Sequence, residues 1–331
     1  MGGRSLSHRN VEVACLGILV ADFFSSPLPR LPEPGELMLV DEIAHYTGGC
    51  AANTAVALTT LGIQAGVVGK VGRDPFGAFI IDDLSSKGID TSEISISPRV
   101  GTSKTLIIPT ISEDRRYIHK IGANADFGIE DVNLDYLSKA KLIYIGGYLA
   151  LSKLSQEALI SILKRAKEAG IITVLDIILP GPGDSLEKCR DALAYVDAFI
   201  PNNDEAEGLT GEEDPAKQAE VLLQYGPGMV VITMGGQGAL LKTKNQTMRA
   251  SSYQVRVEDA SGAGDAFDAG FITGLLHSWS LEGTLKFASA MGASCVRELG
   301  CTAGLFSMQE AKAFVENNEI ELHVERGDRD D

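Results

Sequence analysis

An α/β fold, with a mostly parallel central sheet covered by helices on both sides and a small β lid, is predicted by three observations. Short apolar runs alternate with amphipathic stretches of helical length. The runs are apolar at successive positions, as strands buried on both faces are. Two further segments favour β-structure and carry no helix signal, which breaks the rhythm.

Taken in order, residues 11–20 form the first apolar run and read as a strand, and the small-residue stretch 52–61 reads as a helix. Residues 65–71 are again continuously apolar, a strand, and 76–87 show helical spacing. The alternation resumes with strand 141–145, helix 155–169, strand 171–177, helix 185–195, strand 198–201, helix 215–225 and strand 229–234. After Asp259 the pattern is helical almost to the end, over 264–277, 281–297 and 307–316. The charged residues 321–331 read as frayed, and 1–10 as a flexible start.

The exceptions are 36–47, with Leu37-Met38-Leu39-Val40, and 101–121, with Thr105-Leu106-Ile107-Ile108 and a polar turn at Ser112-Glu113-Asp114. Both are expected to be antiparallel strands projecting from the main sheet as a second layer. Two readings stand: a mobile lid over the core formed by 11–35, 48–100 and 122–320, or a rigid β-extension. A lid needs its outer face covered, so a homodimer through the lid is expected.

The 331 residues are 44% hydrophobic and 22% charged, enough for a sizeable core. Forty-five acidic against 29 basic residues give a net charge of −16, which repels phosphate backbones and anionic lipid, so neither nucleic acid nor membrane is an expected partner. Cys15, Cys50, Cys189, Cys295 and Cys301 are odd in number and form no CxxC pair, so reduced thiols and a cytoplasmic location are expected. No run has signal-peptide or membrane-spanning length before or after Val11.

The stretch Asp259-Ala260-Ser261-Gly262-Ala263-Gly264-Asp265 is the most informative. Gly262, Ala263 and Gly264 stand where a loop becomes a helix, and first-turn N–H groups without intrahelical partners can hold a phosphate. Asp265 then follows. A carboxylate there repels a resting phosphate, and this makes sense if it accepts a proton from an attacking hydroxyl; the other reading is a helix cap that complements the dipole. A second small-residue turn holds Gly48, Gly49 and Asn53, which with Asp22 past the first strand suit a polyhydroxyl ligand; close helix–sheet packing and a cap are the alternative. Cys50 is a small packing residue rather than a nucleophile, since no His signature accompanies it.

Other nucleotide and metal sites are excluded by pattern. Gly69-Lys70 is followed by Val71 and lacks the upstream glycine of a Walker loop, the first strand leads into no GxGxxG, and the five histidines show no HExxH.

With both turns in place the chain resembles ribokinase-like carbohydrate kinases, the PfkB family, from Val11 to about Val315. The resemblance rests on Gly48, Gly49, Ala51, Asn53, Ala55, Gly62 and Gly72 for one signature and on residues 259–265 for the other. It implies a ribokinase-like three-layer α/β/α fold and an ATP-dependent kinase that phosphorylates a hydroxyl of a sugar or sugar-like substrate. Asp265 then matches the catalytic base and Gly262, Ala263 and Gly264 the anion hole. Asn202 and Glu205 resemble the family's Asn-x-x-Glu motif for the triphosphate and hydrated Mg²⁺. Thr233, Gly235 and Gly238 match a turn along the nucleotide, and Ser289 falls near the adenine pocket.

Asp259, Ser261, Cys295, Glu298 and Gly300 match places that hold a monovalent cation such as K⁺ in many relatives, with Ala260 and Gly304 departing from the pattern. Arg115, Arg116 and His119 are read either as contacts to an acidic substrate or as plain exposed residues. A nucleoside acceptor would want an aromatic platform from Phe23, Tyr46 or Phe127. A catalytically silent sugar or nucleotide sensor is the reading from another class, and Asp265, Asn202 and Glu205 together argue against it.

Overall fold

The computed structural model describes residues 11–111, 116–179, 181 and 185–326. The chain enters through β1 (Val13–Gly17), a run buried at every position, and β2 (Val20–Ser25). There follow β3 (Ile43–Gly48), α1 (Cys50–Thr60), β4 (Ala65–Gly72), α2 (Pro75–Ser86), β5 (Asp90–Ser97), β6 (Ser103–Ile108), β7 (Arg116–Lys120) and the single turn α3 (Leu134–Leu137). The second half holds β8 (Leu142–Gly146), α4 (Gln156–Glu168), β9 (Ile172–Leu175), β10 (Ala198–Phe199), α5 (Asn203–Thr210), α6 (Pro215–Leu223), β11 (Met229–Thr233), β12 (Ala239–Lys242), β13 (Gln246–Ala250), α7 (Ala263–Leu276), α8 (Leu281–Cys295), α9 (Met308–Asn317) and β14 (Leu322–Arg326).

Ten strands form one sheet in the order β14-β13-β12-β11-β10-β9-β8-β1-β4-β5, parallel from β11 to β5 and antiparallel at the other edge. Strand alternation feeds two cores. Ala14, Leu16, Ile143 and Ile145 pack with α4, α5 and α6; Val13, Cys15, Leu142 and Tyr144 pack with α1, α2, α7 and α8. The expected three layers are therefore present. The chain winds outward from β1 through β4 to β5, then restarts at β8 and winds the other way, so the order reverses between β1 and β8. Crevices outside the carboxyl ends of strands at such a reversal are where open α/β sheets bind ligands.

A second sheet, β3-β2-β6-β7, makes the lid. Residues 11–20 are not one strand: β1 stops at Gly17 and β2 turns away into the lid, so 20–25 join the lid rather than the core. The Asn124 side chain fixes the break by accepting from Leu19 N and donating to Leu19 O, both at 3.0 Å. Asp74, which caps α2, also accepts from Thr102 N at 2.8 Å and ties the core to the second lid arm.

Other expectations change too. Leu37 and Leu39 lie exposed in a loop, because only 43–48 find a partner strand. Residues 186–188 and 190–195 form 3₁₀ turns instead of one α-helix. Residues 322–326, read as frayed, form β14 along β13; their charge suits an edge strand. Strands β5, β12 and β13 and helix α5 were not anticipated. The turn at Ser112-Glu113-Asp114, Arg115, residues 1–10 and 327–331 lie outside the described residues. Among those described, no helix is long and apolar enough to cross a membrane, and all five cysteines are buried.

Candidate active site

Helix α7 starts on Gly262, which has φ +76° and an ideal Cβ position 2.3 Å from the Cys301 carbonyl oxygen, so only glycine fits. The Ala263 N–H bonds the Ala260 carbonyl at 3.3 Å, which leaves the next first-turn N–H groups, of Gly264 and Asp265, without an intrahelical partner. Gly264 is exposed, and nothing lies within 4 Å of where its Cβ would be. The cradle is open at that residue.

Asp265 is half-buried and clamped by α1: Asn53 Nδ2 donates to its Oδ2 at 2.8 Å, and the Thr54 hydroxyl reaches its carbonyl at 3.4 Å. Burial pushes its carboxyl above the usual range, against the pull of hydrogen bonds from Asn53 and Cys50. The carboxylate thus does not cap its own helix; it faces α1. Among the described residues, Asn53 Oδ1 is buried with no hydrogen-bond partner.

Cys50, Asp176, Asn202, Glu205, Asp265 and Asp268 line an acidic cavity of about 140 Å³. Asp176 directly follows β9, and Asp268 stands one turn beyond Asp265 on α7. Tyr144 Oη donates to Asp268 at 2.9 Å and lies 3.4 Å from Asp176. One hydroxyl proton cannot serve both, so the shorter contact takes it. Burial, with mutual repulsion behind it, raises both Asp176 and Asp268. Glu205 is pushed up to about 7 by burial, its bond from the Asn202 N–H opposing and the charges of Asp204 and Asp265 adding. Asn202 and Glu205 close a reciprocal cap on α5, Asn202 Oδ1 accepting from Glu205 N and Glu205 Oε2 from Asn202 N, each at 2.9 Å. This concentration of carboxylate oxygen fits a hard divalent cation such as Mg²⁺.

Sequence reasoning missed Asp176, Asp268 and Tyr144. Asp176 ends an apolar parallel strand and Asp268 is at i+3 from Asp265, both legible signals; Tyr144 carried none. Cys50 packs against Gly146, whose ideal Cβ position is 2.7 Å from the Cys50 Cβ, and burial keeps its thiol protonated, which suits packing and not nucleophilic attack.

A second cavity, of about 370 Å³, adjoins at Thr233 and Gly264. Gly235, Gly236, Gly238, Val255, Val257, Phe267, Ser289 and Val296 wall it, and the size suits a small-molecule ligand. Gly235 and Gly236 have no atom within 4 Å of a Cβ position, while at Gly238, with φ +93°, a Cβ would meet the Ala250 carbonyl oxygen at 1.9 Å. The Ser289 hydroxyl is buried with no partner among the described residues. It is an orphan that a ligand atom would satisfy.

On the lid side, Asp22 is buried and pushed up to about 6 by burial, with Thr105 pulling it down and the Asp265 charge adding. Gly48 makes room for it, since a Cβ there would meet Asp22 Oδ2 at 1.9 Å. Gly49, at φ +93°, serves close packing, since a Cβ there would meet the Ile18 carbonyl oxygen at 2.4 Å. Phe127 is fully buried and Phe23 packs against Phe76 and His45, so of the three candidate aromatic platforms only Tyr46 is exposed.

Of the residues matched to a cation place, Asp259, Ser261, Cys295 and Gly300 lie within hydrogen-bond reach of one another, and their atoms are engaged. Asp259 Oδ1 accepts from Ser261 N at 2.8 Å and Oδ2 from Gly300 N at 2.9 Å. The Cys295 thiol is 3.3 Å from the Ser261 carbonyl and 3.1 Å from that of Cys301. Glu298 is exposed.

Residues 10–307 match the model of the pfkB family carbohydrate kinases. The chain is similar to 5-dehydro-2-deoxygluconokinase of Clostridium perfringens, 30% identical over 296 residues that cover 83% of this chain and 86% of the relative. It is also similar to a protein described as a probable fructokinase-6, chloroplastic, of Arabidopsis thaliana, 29% identical over 92% of this chain and 83% of the relative. Among solved structures, Arabidopsis thaliana ribokinase complexed with ribose and ATP superposes with a TM-score of 0.79 over 92% of this chain and 99% of that one, at 22% identity.

Proposed function

The chain belongs to the pfkB family of carbohydrate kinases, and from that premise we propose that it moves the γ-phosphoryl group of ATP to a hydroxyl of a sugar or sugar-like acceptor, with Asp265 as general base. One observation carries the reading: a half-buried carboxylate, clamped by Asn53, stands between an apolar cavity and the lid at an open helix N-terminus. ATP as donor follows from the relative solved with ribose and ATP and from the apolar cavity with its orphan Ser289 hydroxyl.

Asp22 and Asn53 hold the acceptor hydroxyls, and Asp265 Oδ takes the proton as the oxygen attacks the γ-phosphorus and the bond to the bridging oxygen breaks, releasing ADP. The raised affinity of Asp265 for protons brings a carboxylate closer to the strength such a base needs at neutral pH. The Gly264 N–H, at the positive end of α7, stabilises charge on the transferring group. Asp176, Glu205 and Asp268 would hold Mg²⁺, directly or through water, and the ion would neutralise phosphate charge. A monovalent cation beside Asp259 has weaker support, because the Asp259 carboxylate oxygens and the Ser261 carbonyl already have partners.

The lid face opposite Asp22 exposes Ile43, Leu106 and Ile118, and a second copy packed lid to lid would cover it. Sedimentation giving twice the 35.1 kDa chain mass supports that dimer, and a monomer at every concentration rejects it. Coupled measurement of ADP release against sugars and nucleosides tests the activity itself. Acceptor-dependent release is expected, and ATP turnover indifferent to every acceptor would overturn the reading.

A further inference from the structure

Across the lid, strand register sets four side chains in one row: Tyr46 on β3 pairs with Asp22 on β2, Asp22 with Thr105 on β6, and Thr105 with His119 on β7. Paired residues share a face, so all four stand on the Asp22 face. Resting on the kinase reading above, we propose that the Asp22–Thr105–His119 row selects an uncharged polyhydroxy acceptor over a carboxylated or phosphorylated one, with Thr105 and His119 as residues that position Asp22.

Hydrogen-bond inventory gives the direction of the chain. Thr105 Oγ1 lies 3.1 Å from His119 Nδ1, and strand register sets Thr105 directly opposite Asp22, whose carboxyl its hydroxyl pulls down. A hydroxyl has one proton and an ionised carboxylate only accepts, so a Thr105 hydroxyl turned to its register partner Asp22 donates there and accepts from His119 Nδ1–H. That tautomer leaves His119 Nε2, on an exposed strand residue, as an acceptor for a ligand, and partial desolvation lowers the ring's proton affinity. The row therefore offers acceptors: the remaining Asp22 lone pairs and His119 Nε2. Asn53 Oδ1, more than nine-tenths buried and without a partner among the described residues, adds another. Sugar hydroxyls supply the matching donors, whereas a carboxylate or phosphate brings acceptors only.

Charge agrees. Among the described strand residues on the Asp22 face there is no Lys or Arg. Lys104, Lys120 and Arg116 alternate onto the opposite face, where Lys104 sits 3.6 Å from Asp74 and over the Phe76 ring. Behind the row stand Asp265, Asp176, Asp268 and Glu205, which would repel an acceptor anion.

The test uses the full chain with saturating Mg²⁺-ATP and three acceptors, fructose, a 2-keto-3-deoxyhexonate and fructose 6-phosphate. Wild-type kcat/KM should favour the neutral sugar by about 100-fold, the scale of an unpaired charged group. Thr105→Val and His119→Leu should raise the neutral acceptor's KM about tenfold and leave kcat and the KM for ATP within about twofold. His119→Asn, whose amide N–H can stand in for Nδ1–H, should recover most of the loss, which a merely structural role would not reproduce. His119→Arg should raise kcat/KM for the hexonate about tenfold.

Preference of the wild type for the hexonate or the phosphate overturns this proposal alone. So does a Thr105→Val enzyme with normal thermal stability and an unchanged acceptor KM. ADP release that no acceptor accelerates overturns the kinase reading and this proposal with it.

Discussion

The two cavities that meet at Gly264 and Thr233 are built from the same sheet edge and have opposite chemistry. The larger is walled by Val255, Val257, Phe267 and Val296 with glycine backbone exposed, and contains no carboxylate. The smaller collects Asp176, Glu205, Asp265 and Asp268 within about 140 Å³. The first can bind a flat, weakly polar ring by excluding water. The second keeps charge repulsion in reserve until a cation or a phosphoryl group relieves it. Helix α7 serves both, with its N-terminus at the junction and Asp265 and Asp268 one turn apart on its acidic side.

The largest break in this contrast should come from Asp265→Asn, which keeps the amide-sized shape and loses the base. A fall in kcat of about 10³-fold or more is expected, with nucleotide affinity nearly unchanged in direct binding, because the apolar cavity is untouched. A variant retaining a tenth of wild-type kcat would remove Asp265 from the chemistry.

Gly264→Ala and Gly262→Ala sharpen the junction between the cavities. A methyl at Gly264 meets no protein atom within 4 Å, so thermal stability should stay within a degree or two while kcat falls about 100-fold as the cradle fills. At Gly262 the methyl meets the Cys301 carbonyl at 2.3 Å with φ +76°, and the fold itself should lose stability by about 1–3 kcal/mol. Equal melting losses in both variants would contradict the distinction.

The smallest effect is a pH dependence confined to the acidic cavity. Glu205 has its native value raised to about 7, so it contributes stability that is complete below its ordinary carboxyl range and lost as pH rises through about 7. Asp176 and Asp268 shift in the same direction. Without divalent metal, Tm should fall between pH 5 and pH 8, and Mg²⁺ should restore several degrees at pH 8. A Tm that rises over that interval, or that ignores Mg²⁺, would break the assignment of this cavity to a cation.

Much of this was open to reading along the chain. Parallel strands buried on both faces and Gly262 through Asp265 at a helix start carry their signals locally, since periodicity and glycine freedom act over a few residues. Strand β5, alternating Ser, Glu and Ile at an edge, and the antiparallel β12 and β13 lacked the continuous apolar run that identified the others. The departure of β2 into the lid was hidden because residues 13–24 are mostly apolar or small throughout; Asn124, over a hundred residues away, makes the break.

The acidic site divides the same way. Asp265 and Glu205 stood in recognisable turns, but the Tyr144 bridge to Asp268 spans 124 positions and the Asn53 clamp on Asp265 spans 212. By itself the sequence determined which segments become strands and helices and where backbone must come close to a ligand, because those follow from side-chain periodicity and the absence of a Cβ. Only the tertiary structure decided which carboxylates share one cavity and therefore which protons they hold. Desolvation and repulsion act across distances in space that have no counterpart along the chain.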